Sequence, residues 1–217
     1  MEKISFVFLL FFAYSVIGWV MEVLLKLIIN KKFINRGFLI GPYCPIYGVG
    51  ALLAISLLTK FLDSPIVVFA LSMIICSLTE YFTSFVLEKL FHTSWWDYSD
   101  MKFNINGRVC IEFMILFGIG CLLVLYIINP FIVSFLNKIP VNIINLTSII
   151  LFVIFIIDII ISLIIIIRFS KISNNAKEDN TEKVTAYVKK VIIKKGKALY
   201  TRFINAFPRM KIIIRKK

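Results

Sequence analysis

The sequence predicts an all-α polytopic membrane protein with about five transmembrane helices and a basic C-terminal amphipathic helix. Of its 217 residues, 60% are hydrophobic, and the mean hydropathy is +0.93. A soluble domain of this size could not bury so much apolar surface. The apolar residues gather into long runs, and about 20 such residues are enough to cross a bilayer as a helix. Lysine and arginine are concentrated after the last run.

Five apolar runs form a predicted membrane domain, residues 1–168, and a predicted cytoplasmic basic tail follows it, residues 169–217. The predicted spans are residues 4–29, 46–62, 66–87, 109–129 and 143–167. The first run is too long for a cleaved signal peptide, and no small-residue cleavage site follows it. The second run is the shortest and begins after Pro45, a residue that suits the first turn of a helix.

The basic residues predict the orientation. Residues 168–217 contain 15 lysines and arginines and only 3 acidic residues, which favours a cytoplasmic C-terminus. Five spans then leave the N-terminus outside. The loops agree, because the predicted inner loops carry 7 basic residues and the predicted outer segments carry 3. We therefore expect a multi-pass protein of the bacterial cytoplasmic (inner) membrane, with the N-terminus out and the C-terminus in.

Four carboxylates lie inside separate apolar runs: Glu22, Glu80, Glu112 and Asp158. Each ionised acid near the centre of a membrane helix costs about 2.5–3.5 kcal/mol on insertion scales. On the predicted topology, Glu22, Glu80 and Glu112 lie at similar depth on the cytoplasmic side, whereas Asp158 lies near the middle of the last span. The sequence therefore predicts that the four acids line a polar path or site that opens to the cytoplasm.

Ion pairing is the alternative role for two of these acids. Lys26 lies one turn after Glu22, Arg108 shares a helix face with Glu112, and Arg36 enters from the adjoining loop. These cations could form ion pairs that fasten helices together. Glu80 and Asp158 have no same-helix cation within a turn, which favours a binding or proton-handling role.

The loop after the first span reads NRGFLIGPYCPIYGVG at residues 35–50. Its prolines remove backbone donors and its glycines permit positive φ, so an ordinary helix is excluded. The segment is either a re-entrant elbow that leads into the second span or a rigid loop on the cytoplasmic surface. The candidate site residues in it are Arg36, Gly37, Gly41, Pro42, Pro45, Tyr47 and Gly48.

The loop between the third and fourth predicted spans contains HTSWWDYSDMKFNINGR. Its tryptophans and tyrosine suit a membrane interface, and its Asp, Asn and Gly residues mark turns. The candidate site residues in it are Trp96, Asp97, Tyr98, Ser99, Asn106, Gly107 and Arg108. The single histidine, His92, has no cysteine near it, and the four cysteines show no CxxC spacing. We therefore expect free thiols, no metal site and no cofactor.

The tail is predicted to bind anionic membrane lipids. From residue 182 onward its apolar residues fall largely on one helical face with lysines around them, as in helices that lie on a membrane surface. Nucleic-acid binding has no motif in its support. The chain also lacks the GxxxxGK[ST], GxGxxG and HExxH motifs, so it does not itself bind ATP, dinucleotides or catalytic zinc in those ways.

Three separated motifs carry a resemblance to a known family. They are Gly18, Trp19 and Glu22 in the first span, GFLIGPYCPIYGVG after it, and WWDYSDMKFNINGRVC at residues 95–110. Over about residues 5–130 the chain resembles the bacterial membrane family described as putative ABC-transporter permease, type IV (CmpB-like). The resemblance implies a permease subunit that works with a separate ATPase subunit, as a homodimer because one short chain supplies half of a channel.

Two other functions use the same residues differently. A membrane-embedded enzyme acting on lipid or isoprenoid phosphate head groups would combine acids for proton transfer with arginines for phosphate. Its residues would be Glu80, Asp97, Asp100, Arg36 and Arg108. In a non-transporting scaffold or regulator, all of the acids would be structural pairs.

Overall fold

The computed structural model of the chain describes residues 2–174, 202, 205–207 and 211–212. It confirms the predicted all-α fold. The helices are α1 (Glu2–Asn30), α2 (Pro45–Leu58), α3 (Pro65–Phe91), α4 (Ile111–Leu123), α5 (Asn129–Leu136) and α6 (Val141–Asn174). A 3-10 turn (Thr59–Phe61) follows α2, and a π-helical turn (Val124–Ile128) joins α4 to α5. Four two-residue strands complete the list: β1 (Thr93–Ser94), β2 (Asn104–Ile105), β3 (Val109–Cys110) and β4 (Lys211–Ile212).

Four helices are long and apolar enough to cross a membrane, so the chain is a membrane protein. They cover Lys3–Ile29, Pro65–Phe91, Ile111–Leu136 and Val141–Ile167. The remaining apolar helix, Pro45–Phe61, falls in a shorter class of 10–17 residues. It corresponds to the second predicted span, which is also the shortest in the sequence.

The segment between α1 and α3 runs back along α1 in two parts. The backbone N–H of Cys44 donates to the carbonyl of Ser15, near the middle of α1, at 2.8 Å. Because α1 ends at Asn30, residues 31–44 return about 22 Å along it before α2 begins. The segment thus folds back beside α1, and we call residues 31–44 the re-entrant loop. Non-helical backbone at this depth requires burial in protein or a polar cavity.

Close approach of α2 to α1 depends on glycine. A Cβ atom at Gly48 would lie 2.4 Å from Ser15 Oγ and 2.5 Å from the carbonyl oxygen of Phe11. A Cβ atom at Gly18 would lie 2.2 Å from the ring of Tyr47. Small residues let helix backbones approach closely in lipid, which explains these glycines in an otherwise bulky sequence.

The fourth predicted span ends at residue 129, whereas the apolar helix continues to Leu136. Pro130 has no N–H to donate to the preceding turn, which would ordinarily break a helix. The structure instead absorbs the proline through the π-helical turn just before it, a common form of helix irregularity. The hydroxyl of Tyr14 donates to Asn129 Oδ1 at 2.9 Å, which ties this irregular turn to α1.

Two clusters of buried side chains hold the helices together. One joins α1, α2, α5 and α6 through Leu9, Leu10, Tyr14, Ala51, Leu136 and Ile144. The other joins α2, α3 and α4 through Ala54, Leu58, Val68, Cys121 and the π-helical Leu125. Much of the outer surface is aliphatic, as a lipid-facing surface requires.

The connection between α3 and α4 is compact. The helix α3 ends at His92, which has φ 51° and forms a left-handed cap. Strands β2 and β3 then form an antiparallel hairpin, and β1 pairs with β4 from the C-terminal segment. The predicted amphipathic helix of the tail falls mostly on residues 175–201, which lie outside the described part of the chain.

Candidate functional site

Glu22 lies at the junction of α1 with the re-entrant loop. Its carboxylate accepts a hydrogen bond from Arg36 Nε at 3.1 Å and another from the hydroxyl of Tyr47 at 2.6 Å. Of the nearby cations named from the sequence, Arg36 is the partner of Glu22, and Lys26 belongs to neither of the two ion pairs in the described residues. The cause is simple, because the loop folds back along α1 and brings the Arg36 guanidinium to the acid.

Glu80 lies on α3 and is the most enclosed acid among the described residues. Its residue is only 7% exposed, and its Oε1 accepts a hydrogen bond from the hydroxyl of Tyr98 at 3.2 Å. Its Oε2 is buried and has no hydrogen-bond partner among the described residues. An unpaired buried carboxylate oxygen is costly, so this atom marks a place where a further donor would be stabilising.

Tyr98 lies within electrostatic reach of both acids. Burial, then the charge of Glu80 and its hydrogen bond, and then the charge of Glu22 raise the pKa of the Tyr98 phenol. The phenol therefore stays neutral and donates to Glu80. We call Glu22, Arg36, Tyr47, Glu80 and Tyr98 the inner site.

The second loop motif places Tyr98 in this site. The backbone N–H of Tyr98 donates to the carbonyl of Gly107 at 2.8 Å, and Gly107 has φ 66°, a conformation that favours glycine. Trp96 Nε1 donates to the carbonyl of Arg108 at 3.0 Å. The ring of Tyr98 stacks on Phe113 of α4 with centroids 4.8 Å apart.

Other residues of this motif stabilise the loop. Asp97 Oδ1 accepts a hydrogen bond from the backbone N–H of Ser99 at 2.9 Å and one from its hydroxyl. Asn106 Nδ2 donates to the hydroxyl of Tyr81 at 2.8 Å. The second loop motif therefore acts mainly to position the phenol of Tyr98.

Asp158 belongs to a different cluster. Its carboxylate accepts hydrogen bonds from the backbone N–H groups of Ile40 and Gly41, at 2.9 and 2.7 Å, and from the hydroxyl of Tyr43 at 2.6 Å. Ser162 donates a fourth bond at 3.0 Å from one turn further along α6. The acid is only 8% exposed and its charge is met by donors of the re-entrant loop, so its role in the structure is to anchor that loop.

Glu112 is exposed in the first turn of α4, whereas Glu22 is partly buried and Glu80 is buried. Its expected partner, Arg108, forms an ion pair with Glu88 at 2.8 Å and lies over the ring of Tyr81. An acid at a helix N-terminus is favoured by the helix dipole, which accounts for Glu112 without a cation.

The residues required by the lipid-phosphate alternative are not assembled for that chemistry. The Arg36 guanidinium is engaged by Glu22, and the Arg108 guanidinium is engaged by Glu88. Asp100 is exposed on the loop surface. Both arginines are thus held by acids of the chain instead of being open to a phosphate group.

Residues near the C-terminus cover the re-entrant loop. The Arg202 guanidinium donates to the carbonyls of Gly37 and Leu39, and Arg36 donates to the carbonyl of Ala206. The ring of Phe207 packs edge-on against buried Trp95 with centroids 5.3 Å apart. These contacts could not be predicted from sequence patterns, which mark the tail only as basic and amphipathic.

The comparison with protein families gives one match. The model of the family described as "Putative ABC-transporter type IV" matches residues 9–163, which include most of α1, all of α2 to α5, most of α6 and the inner site. No curated protein and no solved structure matches the chain. The resemblance carried by the loop motifs is thereby confirmed: this membrane protein belongs to the putative ABC-transporter type IV family.

Proposed function

We propose that the chain is the membrane-spanning component of a transporter and that the inner site binds its cargo. One observation carries the assignment of the site: Glu80 is buried inside a membrane helix, and one of its carboxylate oxygens has no partner among the described residues. Ionisable groups inside spans usually mark substrate or ion pathways. Family membership supports the transport role itself.

The interrupted segment beside the inner site, residues 31–61, also supports a role in cargo binding. Transporters commonly bind cargo where a membrane helix is interrupted, because the unwound backbone and nearby side chains supply polar contacts at depth. Here the interrupted segment contributes Arg36 and Tyr47, and both contact Glu22. Glu112 and Asp158 are left out of the proposed site, since one is exposed and the other is fully engaged by the loop.

We place the protein in the bacterial inner membrane with its C-terminus in the cytoplasm. The support is the excess of lysine and arginine after residue 167 and in the predicted inner loops. In that orientation Glu22 and Glu80 lie toward the cytoplasmic ends of α1 and α3. The inner site then opens to the cytoplasm, and the basic tail is near anionic lipid.

The energy source is a separate ATPase subunit, because the chain has no GxxxxGK[ST] motif of its own. Two copies of the chain would enclose a complete pathway, and each would bring one inner site.

Co-purification tests this function. The full-length protein is tagged and isolated from its native membrane in mild detergent, together with Glu80→Gln and the control Glu112→Gln. We expect an ATP-hydrolysing partner to co-purify with all three, because neither residue lies in a subunit contact that we propose. We expect cargo flux in reconstituted vesicles to be lost with Glu80→Gln alone. Isolation of the chain without any ATPase, or full flux with Glu80→Gln, would overturn the proposal.

A further inference from the structure

Resting on the proposed function, we infer that the inner site selects a cargo with a primary ammonium group, whose N–H donors bind Glu80. The inference starts from the hydrogen-bond inventory of the site. The hydroxyl of Tyr98 donates to Glu80, and the hydroxyl of Tyr47 donates to Glu22. Both phenols have therefore spent their only proton and keep a free acceptor lone pair.

Around Glu80 the site offers acceptors, because the guanidinium of Arg36 is already engaged by Glu22 and by the carbonyl of Ala206. Glu80 Oε2 is buried without a partner, and Ser77 Oγ, one turn before it on α3, is also buried without a partner among the described residues. A ligand group that donates several hydrogen bonds would satisfy these atoms, and a primary ammonium has three N–H bonds. A ligand that only accepts hydrogen bonds could pair with the Ser77 hydroxyl, but it would leave Glu80 Oε2 unpaired.

The net charge of the inner site also favours a cationic cargo. Arg36 balances Glu22, so the five residues of the inner site carry one excess negative charge when Glu80 is ionised. A bound monocation would neutralise this charge, whereas an anion would meet repulsion at low dielectric. The described residues contain no group of three or more His, Cys, Asp and Glu side chains fit to hold a metal ion, which favours an organic cation over a divalent metal.

Two sources share this chemistry: a free primary amine, and a lipid whose head group ends in a primary amine. The test therefore uses full-length protein in nanodiscs of phosphatidylcholine and phosphatidylglycerol, which carry no primary amine. n-Propylammonium chloride is titrated by calorimetry. Tetramethylammonium, a cation without N–H donors, and acetate, an anion, are titrated as comparison probes.

We expect n-propylammonium to bind the wild type and Glu112→Gln equally. The affinity should fall at least about tenfold in Glu80→Gln, since a charge-assisted hydrogen bond is lost. Tyr98→Phe provides a second variant, because it keeps every charge and removes only the hydroxyl that orients Glu80. We expect it to bind measurably more weakly. Competition by added phosphatidylethanolamine would assign the site to a lipid amine, and its absence would assign it to a free amine.

Three results would overturn the inference: no binding of n-propylammonium to the wild type, equal affinity in Glu80→Gln, or equal affinity for tetramethylammonium. Failure of the inference is distinguishable from failure of the proposed function. An ATPase that co-purifies with a chain that binds no ammonium probe would retain the transporter and remove only this cargo class. Tight ammonium binding without any ATPase partner would retain the ammonium site and remove the transporter function.

Discussion

The carboxylate of Asp158 accepts four hydrogen bonds, and three of its donors come from the loop at residues 40–43. Glu80 is equally buried but accepts one bond, from Tyr98. In the sequence the two acids look alike, because each interrupts an apolar run and neither has a cation within one turn. The difference arises from a loop more than 100 residues distant in the chain, which local patterns cannot reveal.

The first prediction concerns Asp158→Asn. The amide nitrogen of asparagine cannot accept the N–H groups that now meet the carboxylate, so at least one backbone donor is left buried and unpaired. We expect unfolding in a sodium dodecyl sulfate titration to require about 2–3 kcal/mol less free energy. Ser162→Ala is the matched control, since it removes one donor and leaves the others, at a cost of about 1 kcal/mol. Equal losses in the two variants would contradict the anchoring role of Asp158.

The second prediction concerns pH and Tyr98. Burial and the nearby Glu80 raise its pKa above the ordinary value of 10, so the folded chain keeps a proton that the unfolded chain releases. Stability is therefore fully present below pH 10 and declines as pH rises above it. We expect Tyr98→Phe to make the melting temperature fall less steeply between about pH 9.5 and 11. An unchanged slope in Tyr98→Phe would count against the prediction.

At the scale of elements, two glycines of α2 differ in their surroundings, and only Gly48 lies at the contact with α1. A methyl group at Gly48 would meet Ser15 Oγ and the backbone of Phe11. A methyl group at Gly50 would meet only Cys76 Sγ, at an ordinary contact distance of 3.9 Å.

The third prediction compares alanine at these two positions. Gly48→Ala should destabilise the protein by about 1–3 kcal/mol, because backbone atoms must move apart. Gly50→Ala should be neutral or slightly stabilising, since alanine favours the helix. Thermal melting in nanodiscs measures both. Equal melting temperatures for the two variants would show that α2 does not pack on α1 as described.

The non-helical character of the re-entrant loop could be predicted from Pro42, Pro45 and the surrounding glycines. Its depth could not, because depth is fixed by a hydrogen bond to Ser15 and by the anchor at Asp158. Helical spacing alone could not decide which cation pairs with Glu22, for a related reason. Helical spacing favoured Lys26 as the partner of Glu22, whereas the folded-back loop delivers Arg36.

The fourth prediction concerns the C-terminal contact. Trp95 is 2% exposed and packs against Phe207. In a Trp19→Phe, Trp96→Phe background, Trp95 is the last of the three tryptophans. Deleting residues 202–217 from this background should increase acrylamide quenching of Trp95 fluorescence and leave membrane insertion intact. Phe207→Ala should increase the quenching in the same direction, and unchanged quenching in both variants would contradict the contact.

At the scale of the whole molecule, the class of the protein follows from composition and the length of the apolar runs. The number of crossings is harder to predict, because α2 is shorter than a full span and its missing length is supplied by extended chain. The place of Glu112 also escaped prediction. Its spacing from Arg108 fits a shared face, yet the hairpin before α4 turns Arg108 toward Glu88 on α3.

The fifth prediction concerns topology. Alkaline phosphatase and a fluorescent protein are fused in turn at residues 63, 100, 138 and 217. With five crossings and an outer N-terminus, phosphatase should be active at 63 and 138, and fluorescence should appear at 100 and 217. The fusion at 63 decides whether residues 31–61 cross the membrane. Fluorescence there would mean that residues 31–61 enter the membrane and return to the same side.

The anchoring of the re-entrant loop by Asp158 has a consequence for biogenesis. Gly41 and Asp158 are 117 positions apart, so the ribosome needs roughly 6–23 s to make the second after the first. During that interval two backbone amides of the elbow must find temporary partners in water, lipid head groups or the insertion machinery. A chain truncated before α6 would keep its first helices but would lack the carboxylate that accepts these two amides. We expect such a chain to remain a substrate for quality-control proteases.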